Sequence, residues 1–582
     1  MRTRIQKYMP AVLLLFTFLT ASSNTLGQVP DPGARGPLAV SREEYNFGDT
    51  AFTPSNFPGP VELLASIHYP TNLSGGPFPV IVFLHGRHAT CFNGSGAQFL
   101  QWPCSEGFES LPSYKGYDYV SEVLASHGYV VLSISSNGIN ARDNSVFDLG
   151  ALARAELIQK HLDMLNTFNT VGGAPFGSKF VGKFNLSQVG TMGHSRGGEG
   201  VVRHFLLNKS LGSPYGIKAV FPLAPVDFNR FTVNNAALSV LLPYCDGDAF
   251  DLQGIHFYDD ARYNVPGDTA PKHSVLVMGA NHNFYNTVWT PGKDSFPGAV
   301  DDWLGFINGG PSDSQCGNLP SNQRLTPAQQ RGTGLAYMSA FFRAYVGGES
   351  QFIPILTGDA PPPPSAKTNN LFVSYQAPEA LRLDVNRLLN DTNLTTNTLG
   401  SAVTQLGLAP YELCGGEEPQ PQFCLPDQPR ARQPHTTPSA RSPLRGLSQL
   451  KTGWNNLTGN YRNDVPAALG NVSRFQALQF RVAVNFADVR NLEGLAQNFR
   501  VVLTDANGSS ASVRVSDVSA ALYFPPGEVG PVPKIMLNTV RIPLTAFGGV
   551  NLNSVRSVQF TFNEQAQGGI MITDVAFASA PQ

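Results

Sequence analysis

Between about residue 60 and residue 346, strand-length apolar runs alternate with helical patterns, and the alternation stops at four consecutive prolines, 361–364. Such a run can be neither helix interior nor central strand, because each proline has a fixed φ and no backbone N–H. The chain is therefore expected to divide there. Before the prolines, the runs at 61–68, 80–84, 129–134, 189–192, 219–223, 239–242 and 274–278 have the length of strands. In the stretch 150–168, Leu152, Ala155, Ile158, Leu162 and Leu165 recur at three- and four-residue steps and fall on one helix face. A helix-like stretch covers 199–207. Another helix is expected over 327–345, with Thr326 as N-cap and Pro327 at its first position. This half predicts an α/β architecture, a mostly parallel sheet with helices on both faces. After the prolines, short strand candidates at 475–484, 499–503, 512–515, 539–542 and 555–562 are separated by turns such as Asp505-Ala506-Asn507-Gly508, which predicts an all-β sandwich. A stretch rich in Pro, Gln and Arg, 417–442, reads as a long irregular loop. The expected division is thus 24–358, a linker at 359–366, and 367–582.

The first 23 residues read as an export signal. Arg2, Arg4 and Lys7 precede an apolar run at 11–19, and the small residues Ala21, Ser22 and Ser23 follow; a cut after Gly27 also fits. The run is too short to cross a bilayer, which takes about 20 residues. The predicted location is extracellular or periplasmic, without a transmembrane segment. Six cysteines suit an oxidising compartment. Of fifteen connectivities, short loop closure favours Cys91–Cys104 and Cys414–Cys424, which leaves Cys245 for Cys316. No pair has the spacing of a zinc site. With 40 Lys+Arg against 42 Asp+Glu, the chain lacks the basic excess that nucleic acid or an acidic membrane would call for.

Ten of the eleven histidines precede residue 283, so imidazole chemistry belongs to the first half. There Gly193-His194-Ser195-Arg196-Gly197 stands between a strand-like and a helix-like stretch. A nucleophilic serine needs such a turn, with its hydroxyl exposed and small neighbours on either side. It also needs a base, and the base an orienting acid. His282 follows the strand candidate at 274–278 and is the expected base; His256 and His273 are its competitors. The loop after 239–242 offers Asp246, Asp248 and Asp251, of which Asp248 is the expected acid. Charge developing on the carbonyl oxygen calls for two backbone donors. The N–H groups of Arg196 and Arg87 are expected to supply them, the latter in the turn His85-Gly86-Arg87-His88 after the strand candidate at 80–84. Arg87, His88 and Trp102 are candidates for lining an acyl pocket.

Taken in order, His85-Gly86, Gly193-His194-Ser195-Arg196-Gly197-Gly198, the Asp248 loop and His282 resemble the α/β-hydrolase superfamily over roughly residues 40–350. The G-H-S-R-G-G form looks like that of chlorophyllases. The layout is similar to platelet-activating-factor acetylhydrolases and to secreted polyester hydrolases of the cutinase type. The resemblance implies a secreted serine esterase that needs no cofactor or metal and acts on a small or polymeric ester. The short interval from Ser195 to Asp248 leaves no room for a lid and implies an open cleft. The segment 537–547, with 555–562 and 572–577, more loosely resembles galactose-binding-like jelly-roll modules. That implies a carbohydrate or cell-surface ligand, or a structural calcium at Asp574. The rival functions are a binding or surface protein built on a degenerate hydrolase scaffold, and a peptidase or lyase using the same residues.

Overall fold

The computed structural model describes residues 29–299, 315–317, 319, 323–389, 393–416, 424–425, 433–442, 444, 446–523 and 533–581. The expected export signal lies outside these residues, as does most of the irregular loop at 417–442.

The first large sheet has nine strands. In chain order they begin with β1 (Val40–Asn46), β2 (Leu64–Pro70) and β3 (Phe78–Leu84). Three two-residue strands, β4 (Cys91–Phe92), β5 (Gln98–Phe99) and β6 (Glu109–Ser110), form a small sheet of their own. The large sheet resumes with β7 (Val130–Ile134), β8 (Phe184–His194), β9 (Ile217–Leu223), β10 (Ala237–Pro243), β11 (Lys272–Val277) and β12 (Leu371–Gln376). Its spatial order is β1-β2-β7-β3-β8-β9-β10-β11-β12. From β7 to β11 neighbours are parallel, while β1, β2 and β12 pair antiparallel. Parallel strands bring the C-terminal ends of β3, β8, β10 and β11 to one edge, and the candidate residues stand just beyond those ends.

The helices are α1 (Asp118–Ser126), α2 (Asn137–Asn140), α3 (Ala151–Thr170), α4 (Arg196–Ser210), α5 (Ile255–Ala261), α6 (Pro327–Tyr345) and α7 (Ile353–Thr357). Asp148 starts α3 by accepting from the N–H groups of Gly150 and Leu152. Thr326 and Gln329 close a capping box on α6. Alternate residues of β3 enter different cores. Val80, Val82 and Leu84 join Leu157, Leu162 and Val201 of α3 and α4; Ile81 and Phe83 join Leu124, Phe341 and Phe342 of α1 and α6.

The C-terminal half contains β13 (Arg382–Asn386), β14 (Val403–Leu406), β15 (Leu408–Cys414), β16 (Gln449–Trp454), β17 (Gly459–Asp464), β18 (Ala477–Val484), β19 (Arg500–Asp505), β20 (Ser510–Arg514), β21 (Asn538–Pro543), β22 (Val555–Phe562) and β23 (Gly568–Ala578). They form an antiparallel sheet ordered β15-β16-β23-β18-β21, with β13 on β23, and a second ordered β14-β17-β22-β19-β20. Leu450, Phe480 and Val540 of the first sheet share one apolar core with Tyr461, Val501 and Phe560 of the second.

The fold class expected from the sequence, α/β with an α/β-hydrolase sheet covered by helices on both faces and followed by a jelly-roll-like sandwich, is corrected by these proportions. Strand makes up 29% of the structure and helix 23%, several sheets are antiparallel, and the chain is mostly β. The strand–helix alternation is real only locally. No helix stands between β9 and β10, and α5 between β10 and β11 has only 7 residues. The proline run does not set the halves apart either. Beyond it, β12 pairs with β11 from Lys272↔Gln376 to Val277↔Leu371, so the expected boundary at 367 falls ahead of a strand of the large sheet. Among the described residues no helix is long and apolar enough to cross a membrane. Three disulfides form, Cys91–Cys104 and Cys414–Cys424, which short loop closure favoured, and Cys245–Cys316, the pair those two leave.

Candidate active site

Ser195 occupies the single-residue turn between β8 and α4, with φ 57° and ψ −125°. A non-glycine residue at positive φ costs on the order of 1–3 kcal/mol and persists only where its surroundings impose it. Here the Ser195 N–H donates to the Leu223 carbonyl (2.9 Å) and the Gly198 N–H to the Ser195 carbonyl (2.8 Å). The turn is packed too closely for side chains. A Cβ on Gly193 would lie 1.9 Å from the Gly197 carbonyl oxygen, and one on Gly197 2.6 Å from that of Leu84. A Cβ on Gly86 would lie 2.5 Å from the Ser195 Cβ, which places the turn after β3 directly against the serine.

That turn is pinned from below. His85 Nδ1 donates to the Gly86 carbonyl (2.9 Å), which leaves Nε2 to accept from the Ser136 N–H (2.9 Å), and Asn140 Nδ2 also donates to the Gly86 carbonyl (2.8 Å). Burial lowers the His85 pKa to about 3, so the ring is neutral, as this pattern requires. Arg196 opens α4, where first-turn N–H groups have no intrahelical partner.

His282 lies beyond β11 and is buried. Its Nδ1 donates to both carboxylate oxygens of Asp246, at 3.0 and 2.8 Å. Asp246 is fully buried and also accepts from the N–H groups of Asp248 (2.9 Å) and Ala249 (2.7 Å). The expected acid, Asp248, is elsewhere. Its carboxylate stands 3.6 Å from His282 Nε2, the opposite ring nitrogen, and its side chain is 52% exposed. The reason is the tightness of the turn: the Asp246 N–H bonds to the Pro243 carbonyl (3.1 Å), so Asp246 already faces β11, and Asp248 has passed the imidazole's orienting edge. Asp251 accepts from Gln253 in a local turn. The neighbouring Cys245 donates its N–H to the Ala280 carbonyl (2.8 Å) and is bonded to Cys316, which ties the acid's loop to the histidine's. The competing histidines are committed to other contacts. His256 Nε2 meets the Pro434 carbonyl (3.2 Å), and His273 bonds the Leu356 carbonyl (2.8 Å) and the Tyr345 hydroxyl (2.9 Å).

The serine and the histidine are neighbours through His194. Its Nε2 donates to the His282 carbonyl (3.0 Å), so Nδ1 accepts from the Tyr117 hydroxyl (3.0 Å), and the His194 and His282 rings are 5.0 Å apart. Burial and the adjacent His282 hold the His194 pKa well below its ordinary value. Trp289, which nothing in the sequence marked, stacks on His88 (4.9 Å, 9°) and lies 4.8 Å from the His194 ring. Trp102 is buried and donates Nε1–H to the Asp49 carbonyl (2.8 Å). Ser195 and His282 are each 1% exposed, so the surroundings of the serine are tighter than the open cleft expected from the sequence. Asp574, the calcium candidate, is taken by the protein's own groups: its carboxylate pairs with Arg262 and accepts from the Tyr263 hydroxyl (3.1 Å).

The carboxylate–imidazole pair beside a strained serine is an arrangement able to move a proton off a hydroxyl. Compared with known proteins, the chain matches no family model, and no curated protein is significantly similar to it.

Proposed function

We propose that this chain is a secreted serine hydrolase that cleaves carboxylic esters through an acyl-enzyme. The observation that carries it is the buried two-oxygen hydrogen bond from His282 Nδ1 to Asp246, next to a serine held at positive φ on a strand-to-helix turn. Secretion is supported by the three disulfides.

Asp246 fixes the tautomer in which Nδ1 carries a proton, so Nε2 is the basic nitrogen. Nε2 takes the Ser195 proton as the hydroxyl oxygen attacks the ester carbonyl, and Asp246 stabilises the imidazolium that results. The oxyanion is held by the N–H of Arg196, at the positive end of α4, and by the N–H of Arg87, in the turn that Gly86 lets press against the serine. His282 returns its proton to the leaving alkoxide. It then takes a proton from the water that attacks the acyl-enzyme and passes it to the Ser195 oxygen as the acid leaves.

The test is hydrolysis of short p-nitrophenyl esters by wild type and Ser195→Ala. Loss of the nucleophile is expected to cost on the order of 10⁴-fold or more in kcat. Equal rates for the two proteins would contradict the proposal.

A further inference from the structure

The residues assigned to the oxyanion also carry side chains that gather beside the serine. Asp143 is fully buried and, among the described residues, is the one carboxylate paired with three guanidinium groups. Its Oδ1 meets Arg87 Nε (3.1 Å) and Arg196 Nη1 (3.0 Å), and its Oδ2 meets Arg154 Nη2 (2.7 Å). One negative charge against three positive ones leaves a formal excess of two. Arg154 is wholly buried and spends its remaining contacts on Asn140 and the Leu149 carbonyl. The other two face outward: the Arg87 side chain is 28% exposed and that of Arg196 16%. Arg196 Nη1 also donates to Asn144 (2.9 Å). Among the described residues, neither Nη atom of Arg87 nor Nη2 of Arg196 donates a hydrogen bond.

The acids nearby do not cancel this excess. Glu199, one turn along α4 from Ser195, is buried and accepts from the N–H groups of Phe228 and Asn229. Burial, then Asp227, raises its pKa to about 8, so it is mostly uncharged at neutral pH. Asp148 is occupied with the start of α3, and Asp248 stands on the His282 side. The Arg196 guanidinium also packs on an aromatic ring whose own carbonyl is held by the Arg441 segment. The Arg196 guanidinium lies 5.7 Å from the Phe228 ring, the Phe228 carbonyl accepts from the Arg441 N–H (2.8 Å), and the Arg441 guanidinium lies 5.1 Å from the Phe147 ring. Guanidinium groups anchored on one edge present their remaining N–H groups in fixed directions, the geometry that captures a carboxylate by charge-assisted hydrogen bonds.

We propose that Arg87 and Arg196 form a carboxylate-binding subsite beside Ser195, so that the preferred substrates are esters bearing a free carboxylate on the acyl or the alcohol part. This rests on the ester-hydrolase reading, deepens it to a substrate class, and is tested so that the two can fail separately. The acyl arm compares the mono-p-nitrophenyl ester of adipic acid with the ester in which an isopropyl group replaces the carboxylate. The alcohol arm compares p-acetoxybenzoate with p-acetoxybenzamide. In at least one arm the anionic ester is expected to show about tenfold or higher kcat/KM, and that ratio should shrink in high salt. It should fall toward one in Arg87→Gln and Arg196→Gln, whatever those substitutions do to absolute rates. Ratios at or below one in both arms of the wild type would overturn the subsite while leaving the esterase intact. If none of the four esters is cleaved, the esterase reading fails. Calorimetric titration of adipate into wild type and Arg87→Gln then decides the subsite, with equal or absent binding overturning it.

Discussion

Asp246 and Asp248 are two residues apart in one loop, and backbone direction alone separates their roles. Asp246 is buried with both oxygens on His282 Nδ1, while Asp248 is half exposed near Nε2. Asp246→Ala is therefore expected to lower kcat for p-nitrophenyl esters by about 10³- to 10⁴-fold, and Asp248→Ala by less than about tenfold; steady-state kinetics of the two variants checks this. Ser195 was legible in the sequence because the small neighbours its turn demands are adjacent in the chain. His282 was legible from its place after a strand. The acid was not, since which of three carboxylates meets an imidazole depends on a turn closed by the Pro243 carbonyl, which leaves no local pattern. Trp289 and Asp143 meet their partners only through tertiary contacts. Glu199 adds a prediction with a definite sign. Its folded-state pKa is raised to about 8, so between the ordinary carboxylate range and that value the native protein keeps a proton that the unfolded chain has lost. Its contribution to stability therefore falls as pH rises through this window. Glu199→Gln, which keeps the acceptor oxygen, should gain in Tm relative to wild type between pH 5 and pH 8.5; a constant difference would count against this account.

At the scale of elements, the site is assembled by strand ends lying side by side and by two ties between loops. The Cys245–Cys316 disulfide closes a separation of 71 residues, for which loop entropy gives about 4 kcal/mol of stabilisation. Replacing both cysteines by serine is expected to lower Tm accordingly. Because Cys245 adjoins Asp246, it should also reduce kcat more than it raises KM, which thermal melts and kinetics measure together. Gly86→Ala would set a methyl group 2.5 Å from the Ser195 Cβ and 2.6 Å from the His194 carbonyl oxygen. The β3 turn would have to move, and a loss of at least about 10²-fold in kcat/KM is expected, the scale of one lost oxyanion donor. The strands β2, β3 and β7–β11 were legible because each carries a compact apolar run, whereas β1 was not, since most of its residues are charged or only partly buried. The strand β12 was not. It follows four prolines, and its pairing with β11 is set by residues about 100 positions earlier in the chain.

Across the whole molecule, the chain is mostly β because the eleven strands β13–β23 of the second half add two antiparallel sheets to the nine-stranded one, while the crossovers β9–β10 and β10–β11 hold no helix and a short one. The two halves are also locked by charges that no local pattern reveals. Asp259 of α5 holds Arg481 of β18 (2.8 Å) and His435 (2.7 Å), Arg262 pairs with Asp574 of β23, and Asp359 pairs with Arg541 of β21 (2.9 Å). Burial alone would raise the Asp259 pKa, but His435 and Arg481 pull it far below the ordinary range. Its stabilising contribution is present above that range and is lost as pH falls below it. Asp259→Asn, which strands two buried partners, is expected to cost about 3–5 kcal/mol in denaturant unfolding at pH 7. A value near zero would mean that the halves do not depend on this contact.

Covalent labelling reads out whether Ser195 is a nucleophile activated by His282 and Asp246. A fluorophosphonate should form an adduct, located by peptide mass spectrometry, on Ser195 of the wild type. Ser195→Ala should show none, and His282→Ala should label far more slowly. An unlabelled Ser195 in folded wild-type protein, or labelling that is indifferent to the loss of His282, would contradict the account.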